Sequence, residues 1–170
     1  MTDTERLNFA LGHLDRIQAL QGRVENRGAA LLALNLAMAS ITAANLTRPI
    51  LATLWAGVAL LALAAIGVAF VSLIMVSYSH LANKVRPSLL FFGDIARIES
   101  DVYISQAKGA STEDLVEDAL CQIWRNSEIL MLKFARTQRA FVATCCAIIL
   151  WMGFLLGVMV QTGALPMLKI

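Results

Sequence analysis

Long apolar runs without a single charged residue divide this chain of 170 residues. Asp, Glu, Lys and Arg are missing from Gly28–Thr47, Pro49–Asn83 and Ala140–Leu168. A bilayer core about 30 Å thick is crossed by about 20 apolar residues in an α-helix. The pattern therefore predicts three transmembrane spans, which are residues 28–47, 54–78 and 140–163.

The polar segments carry helical patterns of their own. Before the first span, apolar residues recur every three or four positions, which predicts an amphipathic helix toward that span. These residues are Leu7, Leu11, Leu14, Ile17, Leu20 and Val24. After the second span, Pro87 is predicted to begin a helix that Gly109 ends or interrupts, with Phe91, Ile95, Ile98 and Val102 on one face.

A third polar helix is predicted to continue into the membrane. Ser111 and Asp114 have the spacing of a capping box, in which each side chain accepts a backbone N–H of the first helical turn. Neither Pro nor Gly follows before Gly153. We therefore expect one helix from about Thr112 to about Val160, whose first half lies outside the membrane.

Basic residues predict how the chain crosses the bilayer. Four precede the first span and eight lie between the second and third, whereas only Arg48 and Lys169 remain for the other side. Under the positive-inside rule the N-terminus and the middle segment are cytosolic, and the C-terminus is periplasmic. The predicted domains are a cytosolic helix (1–27), a transmembrane hairpin (28–78), a cytosolic helical region (79–139) and a third span (140–163) with an external tail.

Composition and motifs exclude several functions. The net charge of +2, without a polybasic run, does not indicate nucleic-acid binding. Nucleotide-binding, serine-hydrolase and zinc-protease motifs are missing, so we expect no enzymatic activity and no cofactor. The three cysteines, Cys121, Cys145 and Cys146, have no metal-ligand spacing, and neither histidine has a partner at ligand spacing. We expect no metal site.

Small and polar residues within the spans indicate helix packing. Gly153 and Gly157 form a GxxxG motif, which brings helix backbones together either between copies of the chain or within its own hairpin. Asn35 is costly in lipid without a hydrogen bond, so it is expected to face another helix or a polar path. The first interpretation of Gly153 and Gly157 predicts a homo-oligomer.

Basic residues near the predicted cytosolic ends of the spans have two interpretations. Their side chains either reach the lipid headgroups or bind a small anionic ligand. In the second case Tyr103, Trp124 or Phe92 offers a stacking surface.

Three sequence motifs resemble the small transmembrane effectors of bacterial Pycsar antiphage systems. They are Glu25–Asn35 entering the first span, Arg86–Pro87 followed by Leu90–Ala96, and Gln122–Glu128 leading to Lys133–Phe134. Glu25 and Arg27 take the places of the acidic residue and the lysine in the D-x-K-A motif of that family, and Gly28 replaces its alanine.

The resemblance implies an effector in an antiviral defence system. A neighbouring uridylate or cytidylate cyclase would make cyclic UMP or cyclic CMP on infection. The effector would then impair the inner membrane and cause abortive infection. The residues expected to bind the cyclic nucleotide are Arg27, Arg97, Asn126 and Lys133.

The sequence thus predicts an all-α membrane protein with three transmembrane helices and a cytosolic helical bundle. The leading hypothesis is a non-enzymatic effector, gated by a cyclic nucleotide, in the bacterial inner membrane. The alternative is a structural or assembly subunit of a membrane complex with a cytosolic docking surface. A transporter is disfavoured, because no charged residue lies within the spans.

Overall fold

The computed structural model describes residues 2–78 and 87–163. These residues form helices and no strand: α1 Asp3–Asn45, α2 Arg48–Leu51, α3 Leu54–Ser77, α4 Phe92–Ile95, α5 Ser100–Gly109 and α6 Thr112–Thr162. Three of the helices, α1, α3 and α6, are long and apolar enough to cross a membrane. The predicted all-α membrane fold with three spans is confirmed.

Helix α1 joins the predicted amphipathic helix and the first span into one helix of 43 residues. Its first turn is capped reciprocally. The Thr2 backbone N–H donates to the Glu5 carboxylate at 2.7 Å, and the Glu5 N–H donates to the Thr2 hydroxyl at 3.3 Å. This arrangement satisfies two backbone donors that have no partner within the helix.

The predicted apolar stripe of α1 is only partly buried. Leu14, Ile17 and Val24 are buried, whereas Leu20 of the same stripe is 45% exposed. The apolar stripe therefore predicts the helix correctly, but fewer of its residues are buried than the pattern indicates.

The connection from α1 to α3 is short, as predicted. Helix α1 ends at Asn45, and the one-turn helix α2 begins at Arg48. Pro49 occupies the first turn of α2, where its missing N–H removes no helical hydrogen bond. Helix α3 then starts at Leu54.

The prediction of a helix that begins at Pro87 is wrong. Residues 87–91 have no helical structure, α4 is a single turn, and α5 starts only at Ser100. The cause is a residue far along the chain: Asp118 of α6 accepts the backbone N–H groups of Leu89 at 2.9 Å and Leu90 at 3.3 Å. The predicted helix end at Gly109 is confirmed.

Helix α6 is continuous over 51 residues, which confirms the prediction of one long helix. Its cap has the predicted partners. The Ser111 backbone N–H and hydroxyl donate to the Asp114 carboxylate at 3.0 and 2.6 Å, and the Asp114 N–H donates back to the Ser111 hydroxyl at 3.2 Å.

The chain divides into two compact units. The charged unit contains residues 1–23 and 79–133, and the span unit contains residues 24–78 and 134–170. Helices α1 and α6 contribute residues to both units. The predicted domain limits at residues 27, 78 and 139 concern the bilayer and stay predictions.

Each unit has its own buried residues. In the charged unit these include Ala10, Leu14 and Ile17 of α1 and Val116 and Ala119 of α6. In the span unit α3 buries one residue per turn along one face, and alanines at these positions let helix backbones approach closely. The buried α3 residues are Ala59, Ala62, Ile66, Ala69, Leu73 and Val76.

Candidate functional site

The charged unit contains a pocket of about 470 Å³, called here the Trp124 pocket. This volume lies within the usual range of small-molecule sites. Helix α6 supplies most of the lining, and residues before α4 supply the rest. The lining residues that matter below are Leu89, Glu117, Asp118, Gln122, Trp124 and Arg125.

A tightly hydrogen-bonded turn, residues 88–91, lies beside the pocket. The Asp118 carboxylate accepts the Ser88 hydroxyl at 3.0 Å as well as two backbone N–H groups of the turn. The Ser88 hydroxyl in turn accepts the N–H groups of Leu90 at 3.1 Å and Phe91 at 2.9 Å. Both Ser88 and Asp118 thus have partners that replace the water they lose on folding.

A second carboxylate fixes the same turn. Asp94 of α4 is buried and accepts the backbone N–H of Ser88 at 3.2 Å. The Tyr103 hydroxyl of α5 donates to the Leu89 carbonyl at 3.4 Å. Three helices, α4, α5 and α6, therefore hold one wall of the Trp124 pocket.

The pocket combines an aromatic face with a cation. Trp124 is 58% exposed and lines the pocket, and an accessible indole can stack on a flat ring. Arg125 is the next residue and also lines the pocket, where a guanidinium can donate two parallel hydrogen bonds to a phosphate. Two of the carboxylates in the lining have structural roles, Asp118 in the turn and Asp114 in the helix cap.

In the span unit, Asn35 of α1 contacts α6. The Asn35 side chain is fully buried, and its amide donates to the Leu31 carbonyl and to the Thr144 hydroxyl, both at 2.8 Å. Thr144 donates its own proton to the Ala140 carbonyl at 2.8 Å. The expectation that Asn35 faces another helix is confirmed, and Thr144 is the partner that the sequence did not reveal.

The span unit also contains polar atoms that lack partners. Among the described residues, three buried side-chain atoms have no hydrogen-bond partner: Asn35 Oδ1, Thr137 Oγ1 and Trp151 Nε1. All three belong to the span unit. Each such atom costs about 1–3 kcal/mol in a folded protein.

The two glycines of the GxxxG motif have different surroundings. A Cβ on Gly157 would overlap the indole ring of Trp55, whereas a Cβ on Gly153 would meet nothing within 4 Å. Gly157 therefore lets α6 pack against Trp55 in the same chain. Whether Gly153 contacts a second copy stays a prediction.

Residues 9–160 match the family described as the Pycsar effector protein domain. The match covers both units and most of the sequence. The chain belongs to the Pycsar effector family. No curated protein and no solved structure is similar enough to add a second comparison.

Membership identifies this Pycsar effector as a membrane component of an antiphage defence system. The resemblance seen in the sequence motifs is confirmed. The family is not a known enzyme family. Two of the three motifs meet in the charged unit, because Asp94 of the second motif fixes the turn that lies beside Trp124 of the third.

The four predicted nucleotide-binding residues are distributed over both units. Arg97 is exposed and follows α4, Asn126 and Lys133 lie on α6 in the charged unit, and Arg27 belongs to the span unit. The Asn126 backbone carbonyl accepts a hydrogen bond from the Gln21 amide at 3.2 Å. None of the four lines the Trp124 pocket.

Sequence reasoning named Trp124 as a stacking candidate but missed the residues around it. Nothing in the charge pattern of the sequence distinguishes Arg125 from the other basic residues or Asp118 from the other acidic residues of the same segment. The available signal was the Gln122–Glu128 motif, which places Trp124 and Arg125 next to each other. The role of Asp118 depends on Ser88, 30 residues earlier in the chain, and has no local signal.

Proposed function

We propose that this Pycsar effector senses a cyclic pyrimidine mononucleotide and then impairs the integrity of the bacterial inner membrane. A neighbouring uridylate or cytidylate cyclase supplies the ligand during infection, and the response is abortive infection. The observation that carries the proposal is the Trp124 pocket. It offers an aromatic face for a base and a guanidinium for a phosphate within one small cavity.

The proposed binding mode uses three side chains of α6. The pyrimidine base stacks on Trp124, and Arg125 donates to the oxygens of the cyclic phosphate. Glu117 accepts an N–H from the base edge, which uracil offers at N3 and cytosine at its amino group. The turn at residues 88–91 closes one side of the cavity.

Arg97, Asn126 and Lys133 form an alternative set for the same ligand. All three belong to the charged unit, and two of them are cationic. If substitutions of these residues abolish binding and substitutions in the Trp124 pocket do not, the binding site lies at the alternative set. The proposed sensing function would still hold. Arg27 belongs to the span unit, and a different partner is proposed for it below.

The response in the membrane requires a span unit with two arrangements. A ligand changes a conformational equilibrium only when it binds one arrangement more tightly than the other. The unpaired atoms Asn35 Oδ1, Thr137 Oγ1 and Trp151 Nε1 support this idea, because another arrangement in which they find partners would regain part of their cost. The proposed response also includes self-association of copies through the spans.

The proposed location is the inner membrane, with the N-terminus cytosolic and the C-terminus periplasmic. This sidedness places the charged unit in the compartment where a cyclase makes its product. It rests on the distribution of basic residues along the sequence. Fusions of a reporter that is active only in the periplasm, placed before Met1 and after Ile170, test it directly.

Isothermal titration of the purified full chain in detergent tests ligand binding. Cyclic UMP and cyclic CMP are titrated, and cyclic AMP serves as the purine control. Trp124→Leu and Arg125→Gln are each expected to lower affinity about tenfold, since each removes one recognition element. Lys108→Gln is the matched control, because Lys108 is an exposed basic residue of α5 that does not line the pocket.

The outcomes separate the site from the function. Normal binding by Trp124→Leu and Arg125→Gln, with loss in Arg97→Gln or Lys133→Gln, would move the site to the alternative set. No binding of either cyclic pyrimidine nucleotide by the wild-type chain would overturn the sensing proposal. Stable co-purification with a protein partner would then favour the structural subunit.

A second experiment tests the membrane response in cells. The effector is expressed with and without a cytidylate or uridylate cyclase, and membrane potential is followed with a fluorescent dye. Depolarisation is expected only when both proteins are present. An unchanged membrane potential and normal growth with active cyclase would contradict the proposed response.

A further inference from the structure

The span unit contains a second groove of about 460 Å³, called here the Arg27 groove. Helix α1 provides one side with Val24, Arg27, Ala30 and Leu31. Helix α6 provides the other side with Phe134, Thr137, Gln138 and Phe141. Apart from Arg27, Thr137 and Gln138, the lining is apolar, so an occupant of this groove needs a large apolar part.

Thr137 is the second observation. Its side chain is nine-tenths buried, and Thr137 Oγ1 has no hydrogen-bond partner. Hydroxyls on the helices of this chain often donate to the carbonyl four residues earlier. Those that do so are Ser40, Thr42, Ser72, Ser127, Thr144 and Thr162. The Thr137 hydroxyl does not make this hydrogen bond, and Thr137 lines the groove together with the Arg27 guanidinium.

The position of the groove along the sequence indicates what fills it. Arg27 immediately precedes the first uncharged stretch, and Arg139 is the last charge before the third. Helices α1 and α6 both enter their uncharged stretches at this level. Phe134 and Phe141 are 51% and 55% exposed, so both rings are available to acyl chains. The groove thus has a cationic site at the point where a headgroup meets hydrocarbon.

We propose that the Arg27 groove binds one anionic phospholipid from the leaflet on the N-terminal side of the first span. The lipid phosphate accepts hydrogen bonds from the Arg27 guanidinium and the Thr137 hydroxyl. Its acyl chain lies along Ala30, Leu31 and Phe141 toward the membrane interior. Basic pockets between transmembrane helices are a known form of anionic headgroup site.

A bound phosphate would account for both the unpaired Thr137 hydroxyl and the position of the Arg27 guanidinium in the groove. A phosphate oxygen satisfies the buried hydroxyl, which otherwise loses its hydration without compensation. Arg27 is exposed at the groove, and a guanidinium matches two phosphate oxygens at once. A purely apolar occupant would satisfy neither group.

Native mass spectrometry of the full chain from mixed micelles tests the proposal. Phosphatidylglycerol is the anionic probe, and phosphatidylcholine is the probe with a phosphate but no net charge. The wild-type chain is expected to retain one phosphatidylglycerol in preference to phosphatidylcholine. Arg27→Gln should lower that retention about tenfold, because the charge-assisted hydrogen bonds are lost.

Matched variants separate the site from general effects. Thr137→Val removes the hydroxyl at nearly constant shape and should lower retention several-fold, whereas Thr137→Ser should keep it. Arg139→Gln is the charge control, because Arg139 is a neighbouring exposed arginine outside the groove lining. Arg139→Gln should leave the tightly held lipid in place.

Three results would overturn the proposal. Unchanged phosphatidylglycerol retention in Arg27→Gln would remove the phosphate contact, and equal retention of both lipids would leave only an apolar groove. Displacement of the lipid by inorganic phosphate or cyclic CMP would assign Arg27 to a soluble anion. The lipid site does not depend on the proposed cyclic-nucleotide binding. The titration with cyclic nucleotides and the measurement of lipid retention can therefore give opposite results.

Discussion

The charged unit and the span unit differ in how completely their polar groups are hydrogen-bonded. In the charged unit, Asp118, Asp94 and Ser88 are joined in one hydrogen-bonded network. In the span unit, Asn35, Thr137 and Trp151 each keep a buried atom without a partner. A fully bonded network specifies one geometry, whereas unpaired atoms reduce the energetic advantage of the geometry that contains them.

This contrast fits the proposed function, in which the charged unit binds the ligand and the span unit produces the membrane response. The charged unit holds the wall of its pocket in one shape, which a specific small-molecule site requires. The unpaired atoms of the span unit lower the stability of its packing, as the proposed membrane response requires. Substitutions in the network of Asp118, Asp94 and Ser88 should therefore be costly. Substitutions of the incompletely bonded polar residues of the span unit should be inexpensive, and the following variants test that expectation.

The largest loss of stability is expected for Asp118→Ala in the charged unit. The substitution leaves the Ser88 hydroxyl and the N–H groups of Leu89 and Leu90 without their acceptor. The expected cost is about 3 kcal/mol, because the lost hydrogen bonds go to a charged group. Thermal unfolding followed by circular dichroism in detergent measures it.

Asp101→Ala is the control for that loss. Asp101 lies exposed in the first turn of α5. A decrease in Tm no larger than that of Asp101→Ala would show that the turn at residues 88–91 does not depend on Asp118.

Gly157→Leu should have the next largest effect, now in the span unit. The new side chain overlaps the Trp55 indole, so α3 and α6 must shift or Trp55 must leave its position. Overpacking of this kind costs about 1–3 kcal/mol. Gly153→Leu has open space at its Cβ and should cost much less.

The same pair of variants separates intrachain packing from self-association. In a background with Trp124→Phe and Trp151→Phe, the fluorescence of Trp55 should change in Gly157→Leu and remain unchanged in Gly153→Leu. If Gly153→Leu, but not Gly157→Leu, reduces the size of the oligomers captured by chemical crosslinking, the open face of Gly153 contacts another copy. Equal Tm values for the two variants would contradict the packing described for Gly157.

Asn35→Leu should change stability little, although Asn35 is fully buried. The substitution removes the amide hydrogen bonds to the Leu31 carbonyl and the Thr144 hydroxyl, and it also removes the unpaired Asn35 Oδ1. Thr144 keeps its own bond to the Ala140 carbonyl. Hydrogen bonds between membrane helices average about 0.6 kcal/mol, so a change within about 1 kcal/mol is expected.

The informative measurement for Asn35→Leu is therefore functional as well as thermodynamic. Under the proposed two-arrangement span unit, removal of the unpaired oxygen should weaken depolarisation in cells that contain the cyclase. A loss of stability as large as that of Asp118→Ala would contradict the contrast between the two units.

The smallest effect is expected for Arg6→Gln. Arg6 donates to Glu113 at 3.2 Å, but the two side chains are 46% and 68% exposed. Water and salt screen such a pair, so the expected cost is about 0.5 kcal/mol or less. A loss above 1 kcal/mol would show that this contact between α1 and α6 is stronger than its exposure indicates.

Much of the fold could be predicted because its causes are local. Uncharged runs identify spans, the Ser111 and Asp114 spacing identifies a helix start, and the lack of Pro and Gly before Gly153 identifies a continuous helix. The segment after Pro87 could not be predicted in this way. Its apolar spacing resembles a helix, but Asp118 captures the backbone donors of Leu89 and Leu90.

The candidate sites were harder to predict than the fold. Trp124 could be named as a stacking residue from its type alone, whereas Arg125 becomes significant only because both residues line one pocket. The pairing of Asn35 with Thr144 and the isolation of Thr137 also depend on which faces of α1 and α6 meet. The four residues expected to bind the nucleotide, Arg27, Arg97, Asn126 and Lys133, were predicted together but lie in two units.

The sequence by itself determined that this chain is helical, that it crosses a membrane and that it belongs with the Pycsar effectors. These properties follow from hydropathy, charge and short motifs, which can be read from continuous stretches of the chain. Only the tertiary structure decided which polar groups are satisfied and where cavities form. Hydrogen bonds such as those of Asp118 join residues about 30 positions apart, and their geometry exists only after the helices have packed.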